Sequence, residues 1–444
     1  MDLLSTLIGR TVDLEKIRQY AARGCGCSVV GVSNIGKSAL LRRLCDEPSP
    51  NSAFVYIDCN QMGDRTARAF FAATWFALVG VIQASANKDE IKTRAAGLYD
   101  EMVHASSAEF VATHFDQGIA LALEHLPRPL ALCLDEFDEA YQHLEPQTFL
   151  HLRSLKDRYG DLLAYITATE RELARLTQSR EQGEFFELVA PRVHFLHFME
   201  PDDTREFCRR FAERERVTFS AADLQFIRDN ADGHPGLVQA VCFALGAVTG
   251  ARTRDVSQDR VIHQIVQRDL AADAITQSEC AKIWDDLDEG ERDALLHLNR
   301  AGEEESPALK SCRAKFIVRE GDGGPVIFAR LFADFVRQQQ FKHHPQMRGV
   351  YIDVDASAAF VDGKPIEALT DLEYRLLLFL YGRIDRLCDK FTIVESVWGE
   401  DYIDKVDDAR IEKLVSRLRQ KIEPDPAKPR YLISVRGRGY KLVR

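Results

Sequence analysis

The chain has 444 residues, and at roughly 100 to 200 residues per domain this length predicts two to four domains with cores of their own. Hydrophobic residues make up 45% of the chain and charged residues 29%, a composition that excludes a disordered protein. The formal net charge of −11, taken as an average, argues against a protein that binds nucleic acid.

The longest apolar stretch, residues 69–82, is too short to cross a membrane. It has 14 residues and includes Thr74 and Gly80, whereas a membrane-spanning helix needs about 20 apolar residues. We therefore predict a buried helix there and no membrane partner. The residues after Met1 lack the pattern of a secretory signal, so we expect a cytoplasmic protein. The ten cysteines form no paired C-x-x-C clusters, which favours reduced, buried side chains over a metal site.

The first 200 residues alternate short apolar runs with helical patterns. Continuous apolar runs separated by helices are typical of a parallel sheet that is covered on both faces. We therefore predict an α/β fold for this part of the chain. The predicted strands cover residues 28–31, 54–58, 130–134, 162–167 and 193–198.

A complete phosphate-binding motif, G-x-x-x-x-G-K-[ST], lies between the first predicted strand and a predicted helix over residues 37–44. Its glycines let the backbone N–H groups point at the β-phosphate, and the helix N-terminus adds positive potential. We predict that Lys37 bridges the β- and γ-phosphates of ATP and that Ser38 binds Mg²⁺. The alternative is an ordinary glycine-rich turn. The motif residues predicted to bind ATP or ADP are Gly31, Ser33, Asn34, Ile35, Gly36, Lys37 and Ser38.

Two acidic residues follow the third predicted strand. Asp135 can hold Mg²⁺ through water, and Glu136 can activate a water molecule for attack on the γ-phosphate. With Lys37 they form the predicted catalytic group of a slow ATPase. Asp138 is predicted to be a helix N-cap instead. The alternative for the acidic pair is a solvated strand end.

In this order, the motifs resemble the AAA+/STAND group of P-loop ATPases over about residues 5–340. IGRTVDL at 8–14 resembles the segment that precedes the P-loop in that group and flanks the adenine. TATER at 167–171 lies where the family places a sensor of the γ-phosphate. GHP at 233–235 resembles the GxP segment by which the lid touches the nucleotide; the alternative is a simple helix cap. By this resemblance, the further nucleotide-contacting residues are Gly9, Arg10, Thr169, Arg171, His234 and Pro235.

The resemblance to that group is incomplete in two respects. No long repeat sensor follows the predicted winged-helix module, and no arginine finger stands out. Arg171 is a candidate for the finger, whereas Arg209, Arg210 and Arg214 are interpreted as a solvated helix face.

Pattern and composition divide the chain into five parts. From residue 201 onward helical patterns replace strands, with 202–204 and 220–223 as predicted N-caps. Residues 337–349 are polar and contain a proline, which predicts a domain boundary. The predicted parts are a P-loop NTPase core (1–200), a helical lid (201–276), a winged-helix module (277–340), a linker (341–349) and a C-terminal α+β winged-helix domain (350–444).

The predicted helix over residues 408–422 has an apolar arc and an opposite polar arc when its residues are placed 100° apart. Between Arg410 and Arg444 there are 11 basic and 3 acidic residues, a net charge of +8, so the other 409 residues carry −19. A basic end on an acidic body is the footprint of a DNA contact. The polar arc suits a major groove, where polar side chains reach base edges and guanidinium groups reach phosphates.

About 95 residues at the C-terminal end resemble the winged-helix effector domain of OmpR/PhoB-type response regulators. The matching strings are ALTDLEYRLLLFL, VESVWG and VSRLRQKIEPDPAKPRYLISVRGRGYKL. The resemblance implies base-reading positions on the 408–422 helix and a hairpin tip in the minor groove, while the receiver domain of that family is missing and the ATPase occupies its place. The alternative is a winged helix used only for protein contacts. The residues predicted to contact double-stranded DNA are Arg410, Glu412, Lys413, Ser416, Arg417, Arg419, Arg436 and Arg438.

Both resemblances together predict a STAND-type transcription regulator that is switched by ATP and ADP. ADP would keep the lid closed, and ATP with an unknown signal protein or ligand would open it and promote homo-oligomer formation on DNA. One alternative is an AAA+ ATPase that remodels or loads DNA, as in replication or transposition. Another is a defence-type STAND sensor whose C-terminal domain is a protein adaptor.

Overall fold

A computed structural model of the chain describes residues 7–47, 49, 51–85, 88–105, 107–249, 258–298, 306–321, 324–343, 349–353, 358–399, 406–435 and 437–443. Two compact units make up the chain, Met1–Asp334 and Phe335–Arg444. The boundary between these units falls inside a helix, so the linker at 341–349 stays a prediction.

A parallel five-stranded sheet forms the centre of the first unit, with the strand order β2-β3-β4-β1-β5. All residues of β1, β3 and β4 are buried, as expected for strands that helices cover on both faces. The predicted α/β class and the five predicted strands are confirmed, with ends that differ by at most a few residues. The strands are β1 (Cys27–Val30), β2 (Ala53–Asp58), β3 (Leu130–Asp135), β4 (Leu163–Thr169) and β5 (Val193–Phe195).

Nine helices among the described residues of 1–200 surround this sheet. One of them, α3, is the helix predicted to be buried, and by length and composition alone it would be able to cross a membrane. Its Phe70, Trp75 and Leu78 side chains lie in the hydrophobic core instead. These helices are α1 (Thr11–Ala21), α2 (Lys37–Asp46), α3 (Ala67–Ser85), α4 (Asp89–His104), α5 (Ala108–His125), α6 (Phe137–His143), α7 (Pro146–Tyr159), α8 (Leu173–Leu176) and α9 (Arg180–Phe186).

Helices follow the sheet, as predicted for the lid. Ser220 is an N-cap with a reciprocal capping box to Asp223, as expected. The N-caps predicted at 202–204 are wrong, because Pro201 is already the first helical residue and Glu200 occupies the cap position. The helices of this part are α10 (Pro201–Glu215), α11 (Ala221–Ala231), α12 (Pro235–Thr249) and α13 (Asp259–Leu270).

The next part has the helices and the hairpin of the predicted winged-helix module. Its interior holds a fully buried ion pair, in which Lys315 Nζ lies 2.9 Å from a carboxylate oxygen of Glu291. The Ser311 hydroxyl donates to the other oxygen of the same carboxylate. The elements are α14 (Ala274–Asp285), α15 (Glu289–Leu296), α16 (Pro307–Ala314), the antiparallel strands β6 (Val318–Gly321) and β7 (Gly324–Ile327), and α17 (Arg330–His343), which contains the unit boundary.

The second unit has its own hydrophobic core and combines helices with small antiparallel sheets, in agreement with the predicted α+β class. Thr370 and Glu373 form a capping box at the start of a helix, and Asp362 and Gly363 have the positive φ angles of a tight hairpin turn. The elements are β8 (Val350–Asp353), β9 (Ala358–Val361), β10 (Lys364–Pro365), α18 (Asp371–Tyr381), α19 (Lys390–Trp398), α20 (Asp408–Ile422), β11 (Leu432–Val435) and β12 (Gly439–Leu442).

Candidate functional site

Three segments with predicted roles meet at one edge of the parallel sheet. The strand β4 pairs in parallel with both β1 and β3, so the carboxyl ends of the three strands are neighbours. Residues 31–38 follow β1, residues 135–136 lie at the end of β3, and residues 169–171 lie at the end of β4. The fold therefore brings the phosphate motif, the acidic pair and the predicted sensor to one place.

The phosphate motif forms a loop that ends at the N-terminus of α2. Asn34 and Gly36 have positive φ angles of 59° and 106°, which turn the backbone before Lys37 begins the helix. A Cβ atom on Gly31 would lie 2.8 Å from the Ile35 side chain, so this position requires glycine. The first N–H groups of α2 have no partner within the helix and make an anion site.

Lys37 is buried inside this loop and is held by oxygen atoms. Its Nζ atom donates to the Gly31 carbonyl at 2.9 Å and forms an ion pair with Glu170 Oε1 at 2.9 Å. Burial alone would lower the pKa of Lys37, but the carboxylates of Glu170, Glu136 and Asp286 raise it above the usual lysine value. The ammonium group is therefore fixed as a cation at the position where it would meet phosphate oxygens.

A buried carboxyl pair stands beside Lys37. Asp138 was predicted to be an N-cap, and this prediction is wrong because α6 begins at Phe137 with Glu136 in the cap position. The Asp138 side chain instead accepts hydrogen bonds from the backbone N–H groups of Glu170 and Arg171, at the end of β4. Burial and the neighbouring Glu170 raise the pKa of Asp138, while Lys37 outweighs the effect of burial on Glu170 and lowers its pKa. The neutral form is thus favoured for Asp138 and the charged form for Glu170, which pairs with Lys37.

Glu170 had no predicted role of its own, yet its carboxylate forms the ion pair with Lys37. One signal was present, because Glu170 directly follows the polar end of a buried strand beside the phosphate motif. At the end of a buried strand, an acidic side chain close to the lysine of the phosphate motif is expected to form an ion pair with that lysine.

The Asp135 side chain is fully buried at the end of β3. Its Oδ2 atom accepts a hydrogen bond from Tyr56 at 2.6 Å, and Arg42 donates to the same tyrosine oxygen. Among the described residues, Asp135 Oδ1 and the Thr169 hydroxyl are buried without a hydrogen-bond partner. Buried orphan oxygens are expensive unless a ligand satisfies them, and oxygen ligands suit Mg²⁺. Asp135 therefore fits a Mg²⁺–nucleotide complex, with Ser38 at the start of α2 as the second predicted ligand.

Glu136 follows with a left-handed backbone, φ 51°. Burial and repulsion from Glu170 raise the pKa of Glu136 to about 7, despite the attraction of Lys37. A carboxyl group with a pKa close to neutral pH is suited to accept a proton from an attacking water molecule.

Two further residues with predicted nucleotide contacts reach the same loop from other segments of the first unit. Arg10, next to Gly9, is buried and donates to the Ile35 carbonyl at 3.0 Å. His234 Nε2 lies 2.9 Å from the Ser33 carbonyl oxygen. The predicted adenine segment and the predicted lid segment thus both touch the phosphate loop.

His234 caps a helix, which is the alternative that its sequence pattern allowed, and it also contacts the phosphate loop. Its Nδ1 atom accepts the Leu237 N–H in the first turn of α12, and Pro235 is the first residue of that helix. Because Nδ1 accepts, Nε2 carries the proton that it donates to Ser33. Burial lowers the pKa of His234 to about 4, so the ring is neutral near pH 7. The residue caps α12 and fastens the lid to the loop.

The winged-helix module also contacts this loop. Asp286 accepts hydrogen bonds from the backbone N–H and the hydroxyl of Ser33, and Glu279 accepts one from the Asn34 side chain. Arg171, the arginine-finger candidate, donates to the carbonyl oxygens of Asp285 and Asp286. Sequence patterns carried no signal for these contacts, because Ser33 and Asp286 are 253 residues apart in the chain. The three other arginines, Arg209, Arg210 and Arg214, pair with nearby glutamates on α10.

The second unit presents α20 as a two-faced helix. Its apolar side is buried in the core, and its other side is exposed to solvent. The N-terminus is capped by Asp407, whose side chain accepts the Arg410 N–H. The exposed residues include the predicted DNA contacts Arg410, Glu412, Lys413, Ser416 and Arg417.

The other three predicted DNA contacts differ from these. Arg419 is half-buried, and its guanidinium donates to the Leu432 carbonyl and the Ser434 hydroxyl, so it ties α20 to β11 instead of standing free for a phosphate. Arg438 is exposed between β11 and β12. Arg436 lies outside the described residues.

Replacement of Arg417 by alanine should weaken DNA binding about equally for all sequences. The loss of one phosphate contact should reduce the slope of log K against log salt concentration by about 0.9. The measurement is DNA affinity between about 50 and 200 mM salt. Arg375→Ala is the control, because Arg375 is an exposed arginine on α18 that pairs with Asp371. Equal slopes for the Arg417 and Arg375 variants would contradict the assignment.

Metal ligation by side chains alone has no support in the part of the chain that the structure describes, where no group of three or more His, Cys, Asp or Glu side chains converges. All ten cysteines are free, and eight of them are buried, as predicted. A divalent cation at the sheet edge would thus need phosphate oxygens or water among its ligands.

Two family models match separate parts of the chain. Residues 6–182 match the model described as an AAA ATPase domain, and residues 363–442 match the model described as "Transcriptional regulatory protein, C terminal". Curated relatives include the sensory transduction protein RegX3 of Mycolicibacterium smegmatis, 41% identical over 93 residues, and the uncharacterized transcriptional regulatory protein YcbL of Bacillus subtilis, 38% identical over 91 residues. The two matches cover 21% and 20% of this chain. They cover 40% of RegX3 and 39% of YcbL, so the chain spans about two fifths of the length of each relative.

Two solved structures are among those with some similarity to this chain. The Walker-type ATPase PABY2304 of Pyrococcus abyssi is 13% identical, with 74% of this chain and 96% of that chain covered and a TM-score of 0.48. The RstA DNA-binding domain of Klebsiella pneumoniae, solved in complex with the RstA box, is 23% identical, with 21% of this chain and 91% of that chain covered and a TM-score of 0.20.

Proposed function

We propose that this chain is a STAND-type transcription regulator that is switched by ATP and ADP. It carries an AAA-type ATPase domain in residues 6–182 and a transcriptional-regulator C-terminal domain in residues 363–442. The C-terminal domain binds double-stranded DNA through α20 and the β11–β12 hairpin. The ATPase hydrolyses ATP slowly and in this way resets the switch. The cofactors are ATP or ADP with Mg²⁺, and the protein acts in the cytoplasm.

One observation carries this proposal. The phosphate loop is contacted both by the lid, through His234, and by the winged-helix module, through Asp286 and Glu279. A nucleotide in this loop touches the same atoms or their neighbours, so a change from ADP to ATP changes the contacts of both parts. A ligand shifts a conformational equilibrium only by its different affinity for the two states, and this loop is where such a difference arises.

Self-association gives the switch its effect on DNA. A single winged helix reads few base pairs, whereas two or more linked copies gain affinity through effective concentration. The acidic ATPase part opposes close approach to DNA, and the basic C-terminal end favours it. Opening of the lid by ATP and a partner signal would therefore place several DNA-binding domains side by side.

The full-length protein tests this function directly. Sequences bound from random DNA are selected in the presence of ADP or of a non-hydrolysable ATP analogue, and the affinity for the selected site is then measured in both states. We expect one enriched motif and tighter binding, with larger oligomers, in the ATP-analogue state. Equal affinity in all nucleotide states would refute the switch.

The same experiment separates the rival functions. An ATPase that remodels or loads DNA would show no enriched motif together with fast, DNA-stimulated hydrolysis. A defence-type sensor would show no sequence preference on DNA in either nucleotide state.

A further inference from the structure

A carboxylate from the winged-helix module binds the phosphate loop in the manner of an anionic ligand. Asp286 Oδ2 accepts the Ser33 backbone N–H at 2.5 Å, and Oδ1 accepts the Ser33 hydroxyl at 3.0 Å. Backbone N–H groups of such loops are phosphate-binding groups, and a carboxylate presents two oxygens of similar charge to them. The Asp286 carboxylate thus accepts a hydrogen bond from the Ser33 backbone N–H, a group that is suited to bind a phosphate oxygen.

The position of Asp286 corresponds to the outer end of the phosphate chain. Ser33 is the third residue of the motif, whereas Gly36, Lys37 and Ser38 surround the start of α2, where the β-phosphate is expected. Asp286 also lies within electrostatic reach of the Lys37 ammonium, the group that bridges the β- and γ-phosphates. The carboxylate therefore stands on the γ-phosphate side of the loop.

Burial makes the charge of Asp286 costly unless the loop compensates it. The side chain is nearly buried, and burial raises the pKa of Asp286 to about 6, although the Ser33 hydrogen bonds and Lys37 act in the opposite direction. A γ-phosphate placed beside this carboxylate would add more negative charge at a site that already holds an anion. ADP has no such group.

Asp286 lies in a segment that makes further contacts with the phosphate loop and with the end of β4. It is the C-cap residue of α14, and the same helix carries Glu279, which holds Asn34. The backbone carbonyl of Asp286 also accepts a hydrogen bond from Arg171. Displacement of this single carboxylate would thus loosen Glu279 and Arg171 together.

We propose that Asp286 makes the site selective for ADP over ATP, because its carboxylate holds the Ser33 N–H that the γ-phosphate of ATP requires. ATP binds when the winged-helix module withdraws Asp286, and this withdrawal also frees Arg171. The inference rests on the proposed function, since it names the residue by which the nucleotide switch distinguishes its two states.

The test compares the affinities of full-length variants for ADP and for a non-hydrolysable ATP analogue, both with Mg²⁺ and without DNA. Asp286→Asn keeps the shape of the side chain and removes its charge. We expect about a tenfold gain in affinity for the ATP analogue and a change of less than about twofold for ADP. Asp286→Ala should shift the ratio in the same direction, and a thermal melt of each variant confirms that it folds.

Asp285→Asn is the matched control. Asp285 is the preceding residue, and its carboxylate is 75% exposed and faces Arg292 instead of the phosphate loop. An unchanged ATP-to-ADP ratio in the Asp286 variants, an equal shift in the Asp285 variant, or the loss of both nucleotides in Asp286→Asn would overturn the proposal. The nucleotide-affinity measurements contain no DNA, so they test only the role of Asp286. The proposed function is refuted by a different result, namely equal DNA affinity in all nucleotide states.

Discussion

Replacement of Lys37 by alanine should abolish nucleotide binding, with a dissociation constant for ADP or ATP raised by about 100-fold or more, since two charge-assisted contacts are lost. The ammonium group is buried, and its orientation is set by the Gly31 carbonyl and the Glu170 carboxylate, so no neighbouring side chain replaces it. The measurement is calorimetric titration of the full-length variant with each nucleotide and Mg²⁺. Binding within about tenfold of the wild type would contradict the assignment of Lys37.

A second consequence of the Lys37 substitution concerns stability and needs its own control. Removal of the lysine leaves the Glu170 carboxylate buried without its ion-pair partner, and such a loss costs about 3 kcal/mol in the free energy of unfolding. Glu170→Gln in the same chain should recover part of this stability, because a neutral amide is easier to bury. The double variant should still fail to bind nucleotide, which separates a binding defect from a folding defect.

Local patterns were sufficient to predict the sheet, the phosphate loop and the orientation of α20. The strands are continuous apolar runs, the loop has a fixed spacing of glycines and lysine, and the apolar residues of α20 recur on one side of the helix. Each of these signals lies within about 20 consecutive residues, where the period of the backbone decides which side chains are buried.

Such local patterns could not predict contacts between segments that are distant in the sequence. Asp286 lies in an acidic segment that is typical of an exposed helix end, yet its carboxylate binds Ser33. Arg419 has the spacing of a phosphate contact, yet it donates to the Leu432 carbonyl that the hairpin places nearby. In both cases the partner was decided by tertiary packing, because a buried or half-buried charge takes the strongest available acceptor or donor.

The Glu170 and Asp138 pair shows a third kind of failure. From sequence, Asp138 resembled a helix cap, because aspartate near the start of a helix often caps it. The helix α6 begins two residues earlier than a cap at Asp138 would require, after the left-handed backbone of Glu136, and the Asp138 side chain bonds to the end of β4 instead. A shift of two residues at a helix start therefore changed the role of the side chain.

Replacement of Glu136 by glutamine should lower the rate of ATP hydrolysis by about 10²- to 10⁴-fold, the usual contribution of a general base. Glutamine keeps the size of the side chain, but it cannot accept the proton of the attacking water. The nucleotide affinity should stay within a few-fold of the wild-type value, because Lys37 and the loop N–H groups are unchanged. The measurement is phosphate release by the full-length protein with ATP and Mg²⁺.

The pH dependence of hydrolysis gives an independent check on Glu136. Its raised pKa of about 7 means that the carboxyl group is protonated and inactive at lower pH, so the wild-type rate should rise with pH through this region and then level off. In Glu136→Gln this rise should disappear. Glu139→Gln is the control, because Glu139 lies on the same helix α6 but is half exposed and pairs with Arg65 at the surface.

The same Glu136 variant connects hydrolysis with DNA binding. If hydrolysis resets the switch, Glu136→Gln with ATP should accumulate the ATP-bound form and bind its DNA site more tightly than the wild type does with ATP. The ADP-bound forms of both proteins should bind DNA equally, since glutamine changes no contact of the β-phosphate. A variant that hydrolyses ATP slowly, but binds DNA no more tightly with ATP than with ADP, would show that hydrolysis and DNA binding are independent in this protein.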